Sequence, residues 1–152
     1  MSEPRREVFV LDDVDKAIIR ELQVDGRMAY ARLAPKVGLS QAAVRQRVNR
    51  LLDRGVVQIV AISDPLSLGL NTQAMVGITV TGDVRRVAAA VAAMAESEYV
   101  LIAAGREGVL AELICTDNED LLERVNDRIR AIEGVASTEV FSILKMEKLT
   151  FS

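Results

Sequence analysis

The 152-residue sequence contains no histidine and no tryptophan, one cysteine and three prolines, and aromatic residues make up only 3% of it. Each scarcity removes a class of function. Without histidine there is no Ser-His or Cys-His nucleophile pair, and the commonest general base and metal ligand are both missing. With Cys115 as the only thiol, no internal disulfide can form and no thiolate cluster can hold zinc. No motif implies a cofactor, and no clustered carboxylate pair offers acid–base chemistry in place of histidine. Long apolar runs are also scarce. The longest, Val84 to Ala95, is interrupted by Arg85 and Arg86 and is too short to span a bilayer. The N-terminal MSEPRREVFV has no apolar signal core with a cleavage site, so a cytoplasmic protein without a membrane partner is expected.

What is present suits a globular chain: 50% hydrophobic and 27% charged residues. Divided between two small domains, that apolar material makes each core marginal alone, and oligomerisation is the usual remedy. The net charge of −3 is unevenly spread. Within residues 26–63, Arg27, Arg32, Lys36, Arg45, Arg47, Arg50 and Arg54 face only Asp53, a local excess of six positive charges. A basic segment beside an acidic remainder fits a chain of which one part meets phosphate, or else a solvated basic face with no partner.

The hydrophobic periods place the elements. Asp12 and Asp13 open a first helix whose apolar face is Val14, Ile18, Ile19 and Leu22, ended by Asp25-Gly26. A second helix runs from about Tyr30 to Val37 and buries Leu33, Ala34 and Val37. Pro35 lies inside it, where it removes a backbone donor, so a late start or a slight bend is expected. Gly38 supplies a left-handed turn residue and Leu39 plugs the corner. Ser40 caps a third helix with Val44, Val48, Leu51 and Leu52 inward. The β-branched run Val56 to Ile62 reads as a strand or wing.

A turn-rich linker over 64–72 separates a first domain, 1–63, from a second, 73–152. In the second, the pattern predicts a strand at 74–80 and a helix from Asp83 to about Ala95. Strands follow at 99–104 and 109–116, joined by the tight turn Gly105-Arg106-Glu107-Gly108. A further helix carries Leu121, Leu122, Val125, Ile129 and Ile132 on one face, and a last strand runs from Val135 to Lys145. The order β-α-β-β-α-β is the ferredoxin-like arrangement, with two helices on one face of an antiparallel sheet. Ile78, Leu110, Ile114 and Ile143 cannot all face those helices, so a partner subunit is expected on the other face. The fold class is therefore α+β, a winged helix-turn-helix followed by a ferredoxin-like domain.

Two helices joined through Ala34, Gly38, Leu39 and Val44 meet the packing needs of a helix-turn-helix, a pattern shared by some plain three-helix bundles. With Val44 and Val48 inward, the third helix turns out Gln41, Ala42, Arg45, Gln46 and Asn49. These types read base edges: Arg for guanine, Gln or Asn for adenine, Ala for the thymine methyl. Ser40 at the start of this helix joins the set. Arg27, Lys36, Arg47 and Arg50 flank the face and suit phosphate contacts. Double-stranded DNA is the expected partner.

The phrases LDDVDKAIIRELQVDGR, LAPKVGLSQAAVRQRVNRLLDRGVV and DPLSLG, with the ending IEGVASTEVFSILK, resemble the leucine-responsive/asparagine-regulator (Lrp/AsnC) family of transcription factors over about residues 11–147. The resemblance implies sheet-mediated dimers that assemble into tetramers or octamers. It also implies control by an amino acid or related metabolite. In that family the effector lies against the turn between the second and third regulatory strands, usually Gly-x-Tyr/Phe-Asp, and against two threonines of the last strand. Here Gly105 and Thr138 match, while Glu107, Gly108 and Val140 depart from the pattern. Arg106 and Glu107 then either hold a different charged ligand or form a polar hairpin tip with none. Glu107 could accept from an ammonium group, and backbone N–H groups around Gly105 and Gly108 could donate to a carboxylate.

Cys115, between Ile114 and Thr116 with no basic neighbour in sequence, reads as a buried structural thiol. The leading reading is a sequence-specific regulator. The alternatives are an effector-independent, chromosome-organising DNA-binding protein and, least supported, an enzyme built on the C-terminal sheet.

Overall fold

A computed structural model describes residues 9–148 and divides the chain into two compact units that meet in sequence at Ile62 and Ser63.

The first unit is helical: α1 Asp13–Val24, α2 Tyr30–Val37 and α3 Gln41–Asp53. Asp12 caps α1 by accepting from the Asp15 N–H, and Asp15 returns the bond to the Asp12 N–H, a reciprocal capping box. Ile18 and Leu22 of α1, Leu33 and Ala34 of α2, and Val44, Val48 and Leu51 of α3 form its core, joined by Met28. Gly38 ends α2 at φ +70°, and the N–H groups of Gly38 and Leu39 both bond the Ala34 carbonyl. Pro35 is inside α2, yet the helix starts at Tyr30 and not later. In so short a helix the missing donor costs only the one bond to the Ala31 carbonyl.

The strand expected over 56–62 does not form a ladder among the described residues: the chain bends at Val56, and the N–H groups of Val56 and Val57 bond the Leu51 carbonyl. A lone strand beside three helices has no edge to pair with. Its Val57 packs on the helical core, while Ile59, Val60 and Ile62 remain exposed.

The second unit follows the expected order: β1 Thr72–Val80, α4 Val84–Ala92, β2 Ser97–Ile102, β3 Val109–Cys115, α5 Asn118–Glu123, a π-helical continuation Arg124–Ile129, and β4 Val135–Ser142. The sheet is antiparallel in the order β2-β3-β1-β4. Ala74, Val76 and Ile78 of β1 and Val109, Ala111, Leu113 and Cys115 of β3 face the helices and meet Val87, Val91, Leu121, Val125 and Ile129. Leu122, expected on the buried face, is 58% exposed. One position beyond Leu121, it is rotated about 100° from the buried stripe.

The other sheet face carries Leu101, Leu110, Ile114, Met75, Tyr99 and Phe141, by the alternation of the strand registers. Of the residues expected to compete for a place, Ile78 lies under the helices, and Leu110 and Ile114 lie on the open face. Tyr99 and Phe141 there are 53% and 52% exposed.

Candidate nucleic-acid interface and effector pocket

α3 is held by one stripe and presents another. Val44, Val48 and Leu51 are sunk in the helical core, and Ser40 caps the helix by accepting from the Ala43 N–H at 3.2 Å. On the opposite side Gln41, Ala42, Arg45, Gln46 and Asn49 are exposed and together line one open surface depression. All five outward residues expected from the helical period are thus brought together. Tyr30, which the sequence showed only as the start of α2, lies under Arg45, its ring centroid 5.8 Å from the guanidinium carbon. This cation–π contact restricts a long side chain that would otherwise sweep freely.

The four flanking cations divide into two kinds. Arg27 is exposed, and Lys36 is half-engaged, its Nζ donating to Glu21 at 2.7 Å on the surface. Arg47 and Arg50 instead turn back to α1. Arg47 Nη1 donates to Asp12 Oδ2 at 2.6 Å and to Asp15 Oδ1 at 2.8 Å, and Arg50 Nη2 reaches both Asp15 oxygens at 3.1 and 3.0 Å. Arg50 also lies over the Phe9 ring, 5.1 Å from its centroid. The Asp15 N–H and the Arg47 guanidinium hold the Asp12 carboxyl below the ordinary aspartate range, and the same pairing raises Arg47. Asp15 was not singled out in the sequence, because its meeting with α3 depends on packing between helices and no local motif reports it.

In the second unit, Arg106, Glu107 and Thr138 line a depression with Thr79, Ser137 and Glu139. Arg106 bridges two carboxylates, Nε to Glu107 at 2.8 Å and Nη2 to Glu139 at 2.6 Å. Glu107 is held below the usual glutamate range by Arg106, which is itself raised, chiefly by Glu107. Glu107 folds over Gly77, where a Cβ would stand 2.8 Å from its Cγ; a glycine in β1 makes that approach possible. Thr138 pairs with Ile78, so its side chain shares the helix-facing side, while Ser137 and Glu139 belong to the other. Gly105 and Gly108 are outside the lining. Gly108 is a steric position, since a Cβ would meet Val84 at 3.1 Å, and its carbonyl accepts from Ala103. Thr79, Ser137 and Glu139 were not singled out in the sequence. Cross-strand register places them there, and no local motif reports it.

Cys115 is fully buried under the helices, and burial pushes its thiol up to about 11. Among the described residues no cluster of His, Cys, Asp or Glu could hold a metal ion, and no helix is long and apolar enough to cross a membrane.

Comparison with known proteins agrees with this geometry. The AsnC-type helix-turn-helix domain family matches residues 11–52, and a family of C-terminal dimeric alpha+beta barrel domains matches residues 70–151. An uncharacterized HTH-type transcriptional regulator of Pyrococcus abyssi is 30% identical over 91% of this chain and 89% of its own length. The Mycobacterium tuberculosis leucine response regulatory protein is 34% identical, with TM-score 0.80, over 91% of this chain and 96% of that one. A transcriptional regulator of Neisseria meningitidis, solved as a complex with L-Met, is 29% identical, with TM-score 0.83, over 93% of this chain and 94% of that one. All three are regulatory proteins by name. With a helix-turn-helix in its first unit and an antiparallel sheet in its second, this chain belongs to the Lrp/AsnC family of DNA-binding transcriptional regulators.

Proposed function

We propose that this regulator selects its DNA sequence through Gln41, Ala42, Arg45, Gln46 and Asn49, assembles through the open face of its sheet, and receives a small charged metabolite at the 105–108 turn. The observation that carries the first part is the uncovered polar face of α3, with Arg45 braced on Tyr30 and all five side chains opening onto one depression. An exposed helix face of this chemistry fits a major groove, where each well-placed bidentate contact discriminates by about 1–3 kcal/mol. The apolar outer face of the sheet supports assembly, since Leu101, Leu110 and Ile114 would otherwise be left to water.

The test is a salt titration of operator binding with Arg45→Ala beside the wild type. Binding should weaken steeply with salt in both. Arg45→Ala should lose about tenfold or more of base preference while keeping most of its affinity for unrelated duplex. Salt-independent binding, or unchanged preference in Arg45→Ala, would refute this.

The complex of the Neisseria regulator with L-Met supports an amino acid or a relative of one as the effector class. One observation favours the effector-free, chromosome-organising reading: Arg106 already satisfies Glu107 and Glu139. A thermal-shift screen of amino acids and keto acids separates the two. A specific rise in melting temperature supports a metabolite site, and a flat panel supports the architectural role.

A further inference from the structure

Asp15 is a carboxylate with only 1% of its surface exposed, placed where α1 meets the reading helix α3. Burying a charge is costly unless every valence is used. Here they are: Oδ1 accepts from Arg47 and Arg50, and Oδ2 accepts from Arg50 and from the Asp12 N–H at 3.3 Å. Asp12 takes a further bond from Arg47, so two carboxylates and two guanidinium groups sum to zero charge. At 3.6 residues per turn, the five reading residues span an arc of about 140° on α3, and Arg47 falls almost opposite its centre. Arg50 lies just past the edge of that arc, and both arginines reach back to Asp15 of α1.

We propose that Asp15 is a specificity-determining positioning residue. It sets the rotation of α3 and keeps Arg47 and Arg50 off the phosphates, so that non-specific affinity is lowered and base reading is kept. The proposal rests on α3 being the DNA-reading helix. It departs from the simpler expectation that every arginine of the basic segment is a phosphate contact. Neutralising Asp15 releases two cations beside a DNA-binding surface, and a structural weakness alone would not add counterion release.

The experiment measures anisotropy of two labelled duplexes, one of mixed sequence and one selected by the wild-type protein from a random library, over a range of salt. For Asp15→Asn the slope of log K against log salt on mixed duplex should steepen by about 0.9 for each arginine released, and preference for the selected duplex should fall about tenfold. Wild type that binds with a salt-dependent slope, beside an Asp15→Asn protein of equal slope and equal preference, overturns the positioning role alone. Wild type with no salt-dependent binding overturns the DNA-reading assignment as well. If Asp15→Asn fails to fold by circular dichroism, Arg47→Gln and Arg50→Gln, each made singly, replace it, since an arginine held at Asp15 and off the phosphates contributes no counterion release. An unchanged slope there supports the proposal, and a slope shallower by about 0.9 for each arginine removed overturns it.

Discussion

Arg45, Arg47 and Arg50 are one residue type on one helix, yet the structure gives them different surroundings. Arg45 stands on Tyr30 at the open face, whereas Arg47 and Arg50 are drawn to Asp15. Their chemistry was readable from the sequence; their partners, 15 positions away for Arg45 and 32 and 35 for Arg47 and Arg50, were not. Cys115 is the opposite case, because an apolar strand flanking a thiol already indicates burial. Its raised pKa leaves almost no thiolate at neutral pH. A disulfide-exchange reagent should therefore label Cys115 only after denaturation, and rapid stoichiometric labelling of the native protein would show that β3 opens to solvent.

At the scale of elements, caps and core stripes carry most of the definition. The Ser40 hydroxyl satisfies one of the free N–H groups at the start of α3, the end of the helix that carries Gln41 and Ala42. Ser40→Ala should lower unfolding stability by about 1 kcal/mol. Chemical denaturation checks this, and a loss well below half that value would mean water replaces the cap without cost. The second and third helices and their turn were legible because Gly38 and the apolar period agree. The segment over 56–62 was not, because β-branched residues favour extended backbone but cannot supply a partner strand. Leu122 was misplaced for a related reason: an apolar residue beside a stripe looks like part of it until the helix phase is known.

For the whole molecule, the sheet poses the main question. Its helix side is closed by α4, α5 and the π-helical turn, and its other side exposes apolar residues from all four strands. Leu110, central on that face in β3, pairs with Gly77 of β1 and Leu101 of β2. If a second copy covers this face, Leu110→Glu should place a carboxylate in the dimer interface and leave a monomer in sedimentation velocity, with the thermal transition lowered and dependent on concentration no longer. An unchanged oligomer would assign assembly to another surface.

Periodicity, turn residues and charge placement were enough to specify two domains, the helix-turn-helix, the β-α-β-β-α-β order and the outward set from Gln41 to Asn49, because each depends on spacing along the chain. The locking of Arg47 and Arg50 by Asp15, the stacking of Arg45 on Tyr30, and the meeting of Arg106 with Glu139 beside Ser137 depend on packing and strand register. Those bring together residues far apart in sequence, and no local pattern encodes which of several cations will meet a buried carboxylate.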